Sequence, residues 1–313
     1  MAKAKNCNLP AMGRLIVFIL LLAATKVNAQ TISGKVVDAT TNKPLGYATV
    51  MYANGNKLLY TDSLGNFSLP QDSVEKKDSI YIQYIGYKKL AFPVARLSSA
   101  NVFKMVQQSQ DLETVVISNC RSFKEYSINK RVGSIKDYVG PGPETKFVTI
   151  GRYLANKDVS GYIKQMEIYT GNFNANTHVP VRIHWYAWDT LNNIPGKELT
   201  ATSIIVYPYQ QGWNSFILPA NTIYFSGGIV IGLEFIYPVE YMQQYESQPS
   251  TGAKIAWLSN MDNRWSLGIQ TTKDASQTGF YQVNNLPVIK YNSRGRNLFI
   301  KPALRFIVQK CLN

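Results

Sequence analysis

Short segments in which apolar and polar residues alternate recur from residue 30 to the end of the chain, separated by clusters of Gly, Pro, Asn and Asp. Alternation with a period of two places successive side chains on opposite faces of a strand, and helical spacing is almost absent, so the pattern predicts an all-β protein. Ile32, Gly34 and Val36 share one face of a first strand, and Asp38 to Pro44 forms a turn-rich loop. Ala48, Val50 and Tyr52 alternate on a second strand. Asp62-Ser63-Leu64-Gly65 reads as a tight turn, in which a carboxylate bonds backbone amides and glycine takes a positive φ. Phe67 and Leu69 then point inward, and Ile80, Ile82 and Tyr84 make a further strand before Gly86.

The polar run Gln107-Gln108-Ser109-Gln110 marks a boundary, after which the strands become longer and more aromatic. Val181, Ile183, Trp185 and Ala187 form one strand face, and Arg182, His184, Tyr186 and Trp188 form the other. Ile229, Ile231, Leu233 and Phe235 alternate on what reads as a central strand. Leu304, Phe306 and Val308 close the chain on a strand whose start Pro302 should confine to an edge. The predicted organisation is a leader over 1–29, a first β-sandwich over 30–118, a linker over 119–135 and a second, jelly-roll-like sandwich over 136–313.

The leader is read from Lys3, Lys5 and Arg14 preceding the apolar run Leu15 to Ala24, with Val27-Asn28-Ala29 as the cleavage pattern, so the mature chain should begin at Gln30. Ten apolar residues are too few to span a bilayer, which needs ~20, and no later run reaches that length. Cys7 precedes the apolar run, which argues against a lipid anchor. These features predict export to the periplasm, the outer-membrane surface or the medium, with no transmembrane segment after cleavage.

The formal charge is +14 and stays strongly positive once the leader is removed. Its cations are scattered, the longest cluster being Arg294-Gly295-Arg296, and export speaks against a nucleic-acid partner, so none is expected and acidic glycans or lipid headgroups fit better. Cys120 and Cys311 could form one disulfide in an oxidising compartment, or remain as two thiols.

Four ordered blocks carry a family resemblance. Ile32-Ser33-Gly34-Lys35-Val36-Val37-Asp38, Lys43-Pro44-Leu45 with Ala48-Thr49-Val50, Thr61 through Leu69, and Ile85-Gly86-Tyr87 together resemble the carboxypeptidase regulatory-like family over about residues 30–117. The resemblance implies a transthyretin-like sandwich of roughly seven strands acting as an accessory folding or docking unit. It extends to the N-termini of Bacteroidetes-type TonB-dependent outer-membrane transporters, where such a domain ends in a segment similar to Asp111 through Ser118. The rest of this 313-residue chain is too short for a plug and a barrel of ~22 strands at ~10 residues each.

Recognisable chemistry is sparse. His178 and His184 are the only histidines and no His-x-x-Glu pair occurs, so a zinc peptidase site cannot be assembled. No nucleophile elbow or phosphate loop is present, and no cofactor is expected. Asp189, Asn192 and Asn193 suit a turn better than a calcium loop, and Glu234 has no second carboxylate that sequence can assign to it.

All five tryptophans, Trp185, Trp188, Trp213, Trp257 and Trp265, lie in the second unit. Trp185 should be core, and Trp213 and Trp257 should pack between sheets. The candidate ligand face is Arg182, His184, Tyr186 and Trp188, because sugars present apolar C–H faces between hydroxyls and are met by rings flanked with polar groups. The same face could instead cover another sheet, and an aromatic strand face more often packs than binds a ligand. The reading is therefore a noncatalytic envelope or surface protein that docks a glycan, peptide or partner protein, with an exported glycan hydrolase using a carboxylate site in the second unit as the alternative.

Overall fold

The computed structural model describes residues 31–52, 57–98, 100–108, 122–131, 135, 137–139, 148–171, 180–192, 194–236, 266–272, 279–283, 289–290 and 299–312. The leader, the 111–118 segment, Cys120, His178, Asn193, Trp257, Trp265 and Arg294 to Arg296 lie outside these residues. Among the described residues there is no α-helix, and no helix is long and apolar enough to cross a membrane.

Seven strands build the first sandwich: β1 (Thr31–Asp38), β2 (Thr49–Tyr52), β3 (Lys57–Tyr60), β4 (Asn66–Pro70), β5 (Ser79–Gln83), β6 (Leu90–Pro93) and β7 (Ala100–Met105). They form two sheets, ordered β4-β1-β7 and β3-β2-β5-β6, with β1 and β7 parallel and the other pairs antiparallel. Their inward residues, including Ile32, Val36, Val50, Phe67, Leu69, Ile80, Ile82 and Phe103, close one apolar core. This is the short-stranded sandwich that the alternation predicts, with the seven strands that the family resemblance implies.

The Asp62 turn is as expected: its carboxylate accepts from the amides of Leu64 at 2.9 Å and Asn66 at 2.7 Å, and Gly65 has φ 77°. Asp38 ties the first and last family blocks together, accepting from the Thr41 amide at 2.6 Å and from the Tyr87 hydroxyl at 2.8 Å. Those bonds favour the ionised carboxyl and hold it down to about 2.

The second unit contains β8 (Ser122–Ile128), β9 (Asp137–Val139), β10 (Val148–Gly171), β11 (Val181–Asp189), β12 (Ile194–Glu198), β13 (Ile204–Val206), β14 (Gly212–Ile217), β15 (Tyr224–Phe235), β16 (Ser266–Thr272), β17 (Gly279–Val283), β18 (Ile289–Lys290), β19 (Phe299–Pro302) and β20 (Leu304–Leu312). The long β10 connects two layers. Its first part lies between β15 and β17, and its last part lies between β14 and β20, with a register shift between Ala155 and Ser160. At Gly161, φ 152°, an added Cβ would meet the Gln309 carbonyl oxygen at 2.2 Å, so only glycine lets the strand turn there against β20. Folded on itself, the sheet closes a jelly-roll-like sandwich around Trp185, Phe225 and Phe306, whose rings meet edge to face.

Three expectations change. Ser122–Ile128, within the stretch expected as linker, is a strand added to the second sheet through β20. Pro302 ends β19 and does not put β20 at an edge, because β20 pairs with β10 on one side and β8 on the other. Trp213 is half-buried on the outward side of β14, edge-on to Tyr169, and not between sheets. Trp185 is fully buried and Ile229, Ile231 and Leu233 line a strand flanked by β10 and β11, as the alternation implies. Cys311 is disulfide-bonded.

Candidate functional site

The outward face of β11 does not reach open solvent over its whole length. Val181, Ile183 and Trp185 face the core of the second unit, so Arg182 and His184 point the other way, toward the β3-β2-β5 sheet of the first sandwich. Between the two lies a cleft of about 520 Å³. Thr49, Met51, Leu58 and Gln83 belong to its first wall, Thr149, Arg182, His184, Tyr186, Glu198 and Glu234 to the second, and Tyr84 to Tyr87, Lys89 and Gln108 border it.

At its base the walls are joined by charge. The Arg182 guanidinium donates to Glu234 at 2.8 Å, to the Ser203 hydroxyl at 3.0 Å and to the carbonyl of Tyr47 in the first sandwich. Tyr60, also from the first sandwich, donates its hydroxyl to the other Glu234 oxygen at 2.6 Å. Tyr47 holds φ 62°, a conformation uncommon for a non-glycine residue, and its hydroxyl lies 2.8 Å from that of Tyr207. Tyr60 is fully buried and packs with the second unit's core, as do Tyr47 and Leu58 in part.

His184 stands between two carboxylates, with Nδ1 3.0 Å from Glu198 and Nε2 3.1 Å from Glu234. Carboxylates only accept, so both ring nitrogens must donate and the ring is imidazolium. Burial alone would lower its pKa; Glu198 and then Glu234 outweigh that and raise it to about 9. Burial likewise opposes ionisation of Glu234, but Arg182, His184 and Tyr60 bring it down to about 2. Arg182, His184, Glu198 and Glu234 thus form a charge-balanced quartet. Glu198 is itself fixed by the Trp185 amide at 2.8 Å and the Thr200 hydroxyl at 3.1 Å.

Glycines make this face flat. Gly232, opposite His184 on β15, leaves room that a Cβ would deny, since it would meet Thr149 Cγ2 at 2.5 Å and both His184 and Tyr186 at 3.3 Å. Tyr186 therefore lies stacked along His184, with centroids 5.6 Å apart and ring planes 4° from parallel. At Gly228 the Tyr153 ring lies over the strand, and Trp188 stacks on Tyr153 at 4.8 Å. On the far flank Gly86, φ 81°, comes so close to Ala201 that an added Cβ would sit 1.8 Å from its carbonyl oxygen.

Of the residues singled out from sequence, Arg182, His184 and Tyr186 come together at the cleft, whereas Trp188 stands apart on Tyr153. Arg182 is only 4% exposed and tied into the quartet. Asp189 forms a turn, accepting from the Leu191 and Asn192 amides. Sequence reasoning did not reach Glu198, Tyr60, Tyr153 or Gly86 as site residues. Glu234 had a signal: a carboxylate inside the apolar run Ile229 to Phe235 needs a buried partner. Among the described residues no group of three or more His, Cys, Asp or Glu side chains could hold a metal ion.

Residues 32–117 match the family model described as the CarboxypepD_reg-like domain. No curated protein matches the chain. Two solved structures align along most of it at low similarity. One is described as a putative carbohydrate binding protein from Bacteroides uniformis (10% identity, 90% of this chain and 98% of that one, TM-score 0.21). The other comprises the cysteine protease and lectin-like domains of Cwp84, a surface layer associated protein of Clostridium difficile (8% identity, 91% of this chain and 59% of that one, TM-score 0.31).

Proposed function

We propose that this chain is an exported, noncatalytic binding protein of a bacterial envelope or surface, and that its ligand is a glycan held between the two sandwiches. The observation that carries this reading is the cleft itself, which presents a tyrosine ring beside fixed hydrogen-bonding groups. Tyr186 offers a flat apolar surface at the edge of the cleft, while Glu198, Gln83, Gln108 and Lys89 present acceptors and donors around it. Rings set among polar groups suit a molecule with alternating C–H and hydroxyl surfaces. Export rests on the leader pattern, and mass spectrometry of secreted protein should find Gln30 at the N-terminus.

Two carboxylates in one cleft also fit the requirement of a glycosidase, but their arrangement favours binding. The His184 ring fills the space between Glu198 and Glu234, where a hydrolase would need the sugar and its water. Glu234, held down to about 2, is the reverse of a general acid, whose pKa must be raised.

Isothermal titration of the full chain with a panel of neutral and acidic saccharides tests the reading. Saturable binding without product release is expected, and Tyr186→Ala should weaken it about tenfold while the protein still melts cooperatively. Absence of saturable binding across the panel overturns the assignment.

A further inference from the structure

The second unit carries a pair of rings that the cleft does not use. Trp188 lies two residues beyond Tyr186 on the same face of β11 and stacks on Tyr153, with centroids 4.8 Å apart and ring planes 23° from parallel. Tyr153 is itself supported by the backbone: it lies across Gly228, where a Cβ would fall 2.3 Å from its hydroxyl oxygen. The glycine is what permits this. A side chain at 228 would displace Tyr153 and with it the surface under Trp188.

Three features set this pair apart from ordinary packing. Trp188 and Tyr153 are both partly exposed, in contrast to the fully buried Trp185 three residues earlier on the opposite face of β11. The pair adjoins the cleft along β11: Tyr186, opposite Val230, borders the cleft, and Trp188 follows two residues on, past a register shift in the pairing with β12. Two strand residues advance ~7 Å, the scale of a single sugar unit. The cleft end of this stretch of β11 is charged and hydrogen-bonding, while the outer end is aromatic.

We propose that the Trp188–Tyr153 stack is a second subsite for the same ligand, so that the protein binds a linear oligosaccharide with one unit in the cleft and the adjoining unit on the Trp188 ring. This rests on the glycan reading of the cleft and adds the ligand's form to it: a chain of at least two units, held by hydrogen bonds at one unit and by ring stacking at the next. Arg182 makes no direct contact with such a ligand, since its guanidinium is spent on Glu234, Ser203 and Tyr47.

The test is isothermal titration of the full chain with mono- through hexasaccharide ladders of gluco-, manno- and galacto-configured sugars. The expected result is a rise in affinity of about tenfold from mono- to disaccharide in one ladder, the gain that one aromatic contact supplies. Trp188→Ala should abolish that rise while leaving monosaccharide affinity within about twofold. Tyr153→Ala should reproduce the effect by removing the support, and Trp188→Phe should retain part of the rise, with thermal melting confirming that each variant folds. Affinity independent of length in the intact protein, or equal weakening of every length by Trp188→Ala, overturns the second subsite and leaves the cleft reading standing. No binding by any member of the ladders overturns both.

Discussion

The Tyr60 hydroxyl of the first sandwich donates a 2.6 Å hydrogen bond to Glu234 of the second, across 174 positions of sequence. It approaches the carboxylate from the side opposite Arg182 and His184, which share the other oxygen. A side chain of the regulatory-like domain therefore completes a buried charge network in its neighbour. Tyr60→Phe should remove one hydrogen bond to a charged group and cost ~1.5–3 kcal/mol. Glu234→Gln should cost more, ~3–5 kcal/mol, because Arg182 then lies buried without its countercharge. Chemical denaturation of the two variants checks both the values and their order.

Gly86 gives the interface a backbone test. Its φ of 81° and the 1.8 Å that would separate a Cβ from the Ala201 oxygen exclude any side chain without movement of the two units. Gly86→Ala should leave the core of the first sandwich intact and loosen its docking. The readout is limited proteolysis, with new cleavage between the units appearing before global unfolding. Unchanged proteolysis and melting would show that the contact relaxes freely.

Stability should depend on pH through the quartet. The folded-state pKa of His184 is raised to about 9, so its contribution is fully present below the ordinary imidazole value of ~6.5 and is lost as pH rises through about 9. Glu234 is depressed to about 2, so its contribution is present above the ordinary ~4.3 and is lost as pH falls through about 2. Stability from this cluster is thus greatest between those ordinary values and declines on either side. Arg182, Glu198, Glu234, Tyr60 and Tyr186 surround the imidazole and its two carboxylate partners. Melting temperatures from pH 5 to 9.5 should fall on the alkaline limb, and His184→Asn should flatten that limb.

The first sandwich, residues 30–118, has its own core around Phe67 and Phe103 and should fold alone, giving a β-type circular dichroism spectrum and a cooperative melt. The same fragment would expose Tyr60 and Leu58, which pack against the second unit in the full chain. It should therefore bind a hydrophobic dye and melt below the intact protein. A disordered spectrum would place its stability wholly in the interface.

The alternation of residues was enough to settle the local outcome. Ile32, Val36, Phe67 and Ile80 go inside because a strand has two faces and only one can be apolar and buried, and the Asp62 to Gly65 turn follows from a carboxylate and a glycine at the spacing a tight turn needs. The same rule separated Trp185 from Arg182 and His184. Alternation states that two faces differ, and it is silent on what covers each of them. Tyr60 is an outward residue of its own sandwich, yet it is fully buried because a second sheet lies on it. Glu198 and Glu234 sit on different strands, 36 positions apart, and become partners only through the His184 ring. Pro302 suggested an edge, but the strand it precedes is flanked on both sides because the chain returns through β8 and β10. Pairings of this kind are decided by how distant surfaces pack and by where buried charges find opposite charges. Those are properties of the assembled molecule, and no window of sequence contains them.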